Sequence, residues 1–373
     1  MRAGIAFLRA YPDLGRLFWS NVLWTLGSGL YFFVWPNYVR DLGGGPQEIG
    51  YLTGLMYGVM ALSLLPGGWL ADRAERRRLM VANWGLAALA PLLFALARHW
   101  TGLIPGVLLY AQFFGWPAME AYVADLVPKD SLGRAFALAN SGYALGAALS
   151  PLLGAALLPR LGMRGLFFLA FLAFLASTLV LTRLSPQRPK ARPDAEGLGV
   201  RSPRLWPWMA VFVGVSLASA ALRPFLPVFL EDRFGMARAG ILASGALLSL
   251  GGFVLAWPLG HFSGQSSSRA LAAGLLAMAA GVALLFLPFG FLPGLFLFGA
   301  DAAVYSLLRG LIGREAGWGR VFGATQVPAT LAQALAPLAA GWLYHAAPTL
   351  FLGLGAGFLG LLALVSLRLE KRG

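Results

Sequence analysis

Cysteine is absent from all 373 residues, which excludes disulfides, thiolate metal sites and cysteine nucleophiles. Histidine is nearly absent too, and His99, His261 and His345 share no spacing that would hold a metal; neither a metal nor a cofactor is expected. The chain lacks a glycine-rich phosphate loop, a Walker lysine and a nucleophile elbow, so neither ATP hydrolysis nor enzymatic chemistry is expected of it. Charge is scarce as well. Only 12% of residues are charged, about half the roughly 25% of an ordinary soluble domain. A soluble fold so poor in charge could not keep its apolar surface from water.

What is abundant is apolar and comes in long blocks. Hydrophobic residues make up 58% of the chain and the mean hydropathy is +0.72. The blocks run over 17–39, 49–71, 79–97, 101–124, 135–158, 163–182, 206–230, 239–260, 270–292, 294–312, 321–344 and 348–367. Each is close to the roughly 20 residues that cross a bilayer as a helix. The alternation of a membrane barrel strand is missing, so the expected fold is an all-α membrane protein with twelve spans.

The basic residues then set an orientation. With the N-terminus inside, the inner segments hold Arg2, Arg9 and Arg16, the run Arg73, Arg76, Arg77 and Arg78, then Lys129, Arg134, Arg269, Arg309, Arg314, Arg320, Arg368, Lys371 and Arg372, besides the basic mid-chain segment. The outer side receives Arg40, Arg98, Arg160, Arg164, Arg233 and Arg238. This bias predicts both termini in the cytoplasm of a multi-pass protein of the cell membrane. The net charge of +14 is thereby a topology signal, and no nucleic-acid partner is expected. The basic and then apolar N-terminus is too long in its apolar part for a cleaved signal peptide.

Residues 184–206 contain four prolines among alternating charges and read as a cytoplasmic linker between an N-terminal six-helix bundle, 1–183, and a C-terminal one, 207–373. Internal repeats agree with that division. Pro36-Asn-Tyr-Val-Arg-Asp41 matches Pro227-Val-Phe-Leu-Glu-Asp232, and Pro66-Gly-Gly68 matches Pro258-Leu-Gly260, at offsets of 191 and 192. Later, Gly133-Arg134-Ala-Phe136 matches Gly319-Arg320-Val-Phe322, and Ser150-Pro151 matches Ala336-Pro337, at an offset of 186.

After the second block, Gly68-x3-Asp72-Arg73-x2-Arg76-Arg77 resembles the signature loop of the major facilitator superfamily of secondary transporters, with Glu75 where a glycine is usual. Trp35-Pro36-x-Tyr38-x3-Leu42-Gly43 and Ile49-Gly50 are similar to that family as well. The resemblance implies two pseudo-symmetric bundles with a small-molecule substrate bound near mid-membrane and access alternating by rocking. It further implies that Gly68, Asp72, Arg73, Arg76 and Asp125 form a cytoplasmic gate, in which Asp72 caps span 2 while Arg73 or Arg76 reaches Asp125. Arg77 and Arg78 read as anchors to anionic lipid. Gly142, Gly146, Ser150 and Gly154 beside Pro151 resemble the span 5 motif of proton-driven exporters and are expected to pack at the seam between the halves.

Glu120, Arg223 and Asp301 are the clear intramembrane ionisable residues, and such residues are functional candidates because an unpaired charge there is costly. Arg223 and Asp301 fall at equal depth, about 12 Å from the outer helix ends at 1.5 Å per residue, and are expected to pair. Glu120 is expected alone and nearer the inner end, where burial disfavours the charged form and poises a carboxylate to exchange protons. Gln112, Trp116 and Glu120 share a helical stripe, as do Asp301, Tyr305 and Arg309. Asn21, Trp24, Asn37, Asn140 and Gln326 complete the expected cavity lining. The expectation is a monomer in the lipid bilayer that exports small organic molecules against protons, with an uptake symporter or facilitator and a non-transporting scaffold or sensor as alternatives.

Overall fold

The computed structural model describes Phe7 and residues 10–189, 205–263, 266–316 and 318–370, apart from the side chains of Lys129, Leu205, Glu370 and those within 313–327. Among the described residues every regular element is helical. Nine helices among the described residues are long and apolar enough to cross a membrane. One of them, Leu132–Thr182, is 51 residues long and turns at Gly162, whose φ of 62° suits a residue without a Cβ; it holds spans 5 and 6. The pair Trp100–Tyr110 and Trp116–Leu126 makes span 4, and Trp318–Ala346 makes span 11, which brings the count to twelve. Outward faces carry Leu62, Leu96, Phe253 and Trp257, each at least 74% exposed, an apolar surface that only lipid solvates well.

Proline and glycine interrupt four spans at positions related by the repeats. Span 1 runs as Pro12–Gly29, a short 3-10 turn at Phe32–Val34, and Trp35–Asp41. Span 7 repeats this as Leu205–Leu222, a 3-10 turn at Arg223–Phe225, and Leu226–Phe234, the two turns being 191 residues apart. Span 4 loses its helix between Tyr110 and Trp116, and span 10 between Phe298 and Asp301, which corresponds at the offset of 186. Sequence reasoning expected an unbroken fourth span over 101–124; Pro117, in the first turn of the second segment, cannot donate a backbone hydrogen bond and crowds the preceding turn.

The chain divides into two compact units, Met1–Tyr38 with Val59–Pro193 and Val39–Gly58 with Asp194–Gly373. In the first, Leu14, Leu17, Met80, Trp84, Tyr122, Ala135 and Leu181 form one buried cluster. Span 1 lies along spans 5 and 6, joined by Ser20 Oγ to Ser177 Oγ at 2.8 Å and by Asn21 Nδ2 to Ala139 O at 2.9 Å. In the second unit spans 8 and 10 touch backbone to backbone, since a Cβ on Gly251 would lie 1.8 Å from Phe296 O. Residues 39–58 belong by sequence order to the first half yet pack with the second unit. Gly50 and Gly54 allow it, because a Cβ on either would meet Pro337 O at 2.3 Å or Ala334 O at 2.7 Å.

Two expectations change here. The row Gly142, Gly146 and Ser150 faces span 1 of its own unit instead of the other half: Cβ atoms at the glycines would strike Phe18 O at 2.4 Å and Val22 O at 2.7 Å, and Ser150 fits because Gly29 opposite has no Cβ. Pro151 and Gly154 are buried in the same helix. The segment after span 6 begins docked, not as free linker: Leu184 is buried, Ser185 N donates to Asp13 Oδ2 at 3.2 Å, and Arg76 N donates to Gln187 O at 3.0 Å. Residues 190–204, the body of the expected linker, lie outside the described residues.

Candidate functional site

The interruption of span 4 leaves Gln112 O, Phe113 N and Gly115 N without helical partners, and at membrane depth such groups must be met by protein. Asn83 of span 3 meets two of them. Its Nδ2 donates to Gln112 O at 2.8 Å and its Oδ1 accepts from Gly115 N at 2.5 Å. Ser63 Oγ of span 2 accepts from Phe113 N at 2.8 Å. Span 2 comes this close at Gly67, where a Cβ would lie 2.6 Å from both Phe114 Cα and Phe114 O. A Cβ on Gly68, the signature glycine, would meet nothing within 4 Å. Asn83, Ser63 and Gly67 were missed from sequence; the available signal was a run of small or polar residues in apolar spans opposite Gly115-Trp116-Pro117.

Beside the break lies a cavity of about 230 Å³ within the first unit, walled by Trp24, Trp84, Tyr110, Phe113, Trp116 and Tyr143. Its polar lining is Thr25, Ser28, Asn83 and Gln112. Trp24 is central to the wall: its ring stacks on Phe174 at 4.0 Å and on Tyr110 at 6.1 Å, and lies 5.5 Å from Trp84. Of the expected lining residues Trp24, Gln112 and Trp116 belong to this cavity. Asn21 does not; it is the strut to Ala139 O already described. Asn37 is fully buried and Asn140 exposed, and neither lines the cavity. The side chain of Gln326 lies outside the described residues.

Glu120 is not alone, contrary to expectation. One helical turn earlier, Trp116 Nε1 donates to its Oε1 at 3.0 Å, a contact that four-residue spacing favours. In the second unit Arg223 Nη1 donates to Asp301 Oδ2 at 2.9 Å. Both residues sit at their span's interruption, Arg223 opening the 3-10 turn of span 7 and Asp301 the helix Asp301–Ala316 that follows the break in span 10. Tyr305, one turn further on, makes an edge contact with Phe212 at 5.8 Å.

At the expected inner end, Arg76 is almost wholly buried and reaches Asp125 Oδ2 at 2.6 Å, Gln187 Oε1 at 2.7 Å and Ala121 O at 3.0 Å. Each of these partners lies in the first unit. Arg73 does not reach Asp125; its guanidinium sits 4.5 Å over the Trp69 ring. Nor does Asp72 cap span 2. A helix C-terminus presents carbonyls and needs donors, and these come from Arg76 Nε to Ala71 O at 3.4 Å and Arg73 Nη1 to Trp69 O at 3.3 Å, while Asp72 is exposed in the turn. Arg77 and Arg78 lie beside Glu75, the latter at 2.9 Å.

At the opposite ends of the helices the second unit holds an ionic cluster that sequence reasoning missed. Arg40 Nη1 meets Asp232 at 2.7 Å and Glu231 at 3.2 Å, while Arg238 meets Asp41 at 2.6 Å and Glu231 at 3.0 Å. Tyr344 adds a hydrogen bond to Asp232 at 3.1 Å. The two copies of the repeat Pro36–Asp41 and Pro227–Asp232 thus end on each other. The change from Arg40 in one copy to Glu231 in the other supplied the signal.

The fold resembles that of a bacterial homolog to the human lysosomal transporter Spinster, solved in an inward-facing and occupied conformation, with a TM-score of 0.79 over 97% of both chains at 15% identity. In sequence the chain is 28% identical to the multidrug resistance protein MdtG of Enterobacter lignolyticus over 58% of its own length and 55% of that protein, so it spans about half of that relative. It is also 28% identical to the enterobactin exporter EntS of Escherichia coli over 82% of its length and 78% of that protein. The model of the Major Facilitator Superfamily matches residues 17–317, and the chain belongs to that superfamily.

Proposed function

We propose that this multi-pass membrane protein is a secondary transporter that exports small organic molecules by alternating access, coupled to protons. The observation that carries the reading is the set of interruptions at corresponding positions of spans 1, 4, 7 and 10, beside an aromatic cavity at the break in span 4. Paired breaks in apolar spans are the feature by which repeat-built transporters form substrate and ion sites. The direction is supported by relatives whose names describe multidrug resistance and enterobactin export.

In this reading Trp24 and Trp116 hold the substrate and Gln112 orients it. Glu120 and Asp301 are the proton-carrying candidates, the first held by Trp116 Nε1 and the second by Arg223 Nη1. The Arg76–Asp125 pair keeps the loop after span 2 closed onto span 4, as part of a gate. The Arg40–Arg238 cluster latches the other side. Both termini face the cytoplasm, the protein works as a monomer, and lipid is its solvent. Inside-out vesicles with an acidified lumen test the direction. Accumulation of a labelled aromatic compound in the lumen is expected; accumulation only in right-side-out vesicles would reverse the direction, and none in either would remove the function.

A further inference from the structure

We propose that the cavity beside the span 4 break selects neutral, planar aromatic molecules of one or two fused rings that carry a hydrogen-bond-accepting oxygen. This rests on the reading that the cavity holds substrate. Its size sets the ring count. An apolar cavity of about 150 Å³ takes one benzene ring, so about 230 Å³ has room for a second fused ring. The wall sets the shape, because six of the ten lining residues are aromatic and ring faces prefer offset stacking on another ring.

The polar lining sets the functional group. Asn83 is committed at both ends of its amide to the backbone of the break. Thr25 and Ser28 spend their hydroxyl protons on carbonyls of their own helix, Asn21 O and Thr25 O. Two buried donors then remain without a partner among the described residues, Trp84 Nε1 and Gln112 Nε2. An indole nitrogen can only donate, and so can the amide nitrogen. A buried donor left unmade is costly, so the favoured occupant supplies oxygen lone pairs. No charged residue is among the ten that line the cavity, and the neighbouring Glu120 carboxylate is already engaged by Trp116 Nε1; a permanent cation is disfavoured, since burying a charge without a counter-ion in contact costs more than any ring contact returns.

Equilibrium dialysis of the full chain in lipid nanodiscs, referenced to empty nanodiscs, tests this with three probes of one outline: coumarin, a neutral acceptor; naphthalene, which has no acceptor; and N-methylquinolinium, a cation. Coumarin is expected to bind about tenfold tighter than naphthalene, as one or two added hydrogen bonds imply, with the cation weakest. Gln112→Glu, which replaces the donor by an acceptor, and Trp84→Phe, which keeps a ring without a donor, should bring the ratio of coumarin to naphthalene binding toward one, retained naphthalene binding showing that the variants fold. Trp24→Ala should weaken both neutral probes. Equal binding of coumarin and naphthalene, still lost in Trp24→Ala, would overturn the acceptor preference and leave the cavity as the site. Tighter binding of the cation would overturn the neutral preference. Binding of no probe, or binding that Trp24→Ala leaves intact, would overturn the site itself.

Discussion

Replacing Asn83 by leucine removes the donor to Gln112 O and the acceptor for Gly115 N together, leaving two buried backbone groups unmet. Each costs about 1–3 kcal/mol, so Asn83→Leu should destabilise the chain by about 2–4 kcal/mol, read as a lower unfolding temperature in detergent; a change inside about 0.5 kcal/mol would show that the break does not depend on it. The two neighbouring glycines should behave oppositely. Gly67→Ala drives a Cβ into the Phe114 backbone, whereas Gly68→Ala enters open space. The first should cost about 1–3 kcal/mol, as overpacking does, and the second stay within about 0.5 kcal/mol; the reverse order in thermal unfolding would contradict the packing described. Glu120→Gln keeps the acceptor for Trp116 Nε1 and removes titration. Substrate binding should persist while accumulation under an imposed pH gradient fails, and unchanged accumulation would move proton coupling to Asp301 or end it.

Helices were legible because apolar block length near 20 residues is a strong constraint in a bilayer, and the division of spans 5 and 6 was legible around Gly162. The break in span 4 was written only in Gly115 and Pro117, which an apolar count passes over. A small-residue row announces close approach but not its partner: Gly142, Gly146 and Ser150 could face any helix, and the complementary Gly29 opposite Ser150 marks span 1 as the one they meet. Signature loops have the same limit. The pattern around Arg76 foretold an interaction with Asp125, yet nothing in it foretold Gln187, because the chain after span 6 returns to the loop only in three dimensions. Arg76→Ala removes the guanidinium from Asp125 and its bond to Gln187 Oε1, and breaking a buried pair costs about 3–5 kcal/mol. The expected outcome is a lower unfolding temperature with Arg76→Lys intermediate, since lysine keeps the charge but not the forked geometry; a stable Arg76→Ala protein with impaired transport alone would assign the residue to gating only.

Taken as a whole, the chain places most of its chemistry at helix interruptions and helix ends, and leaves the rest apolar for lipid. Composition indicated the membrane and the repeats indicated duplication, both directly from the sequence. The aromatic cavity was half legible: Trp24, Gln112 and Trp116 were expected, but Trp84, Tyr110, Phe113 and Tyr143 could not be told from ordinary lipid-facing rings without the packing. The central claim, that export runs through that cavity, is tested most directly by the uptake of labelled coumarin into acid-loaded inside-out vesicles carrying the wild-type chain, Trp24→Ala or Trp19→Ala. Trp19 is 57% exposed on the same helix and serves as the control. Uptake with wild type and Trp19→Ala, reduced at least about tenfold in Trp24→Ala by loss of ring stacking, is the predicted result. Equal uptake by Trp24→Ala and wild type would contradict it.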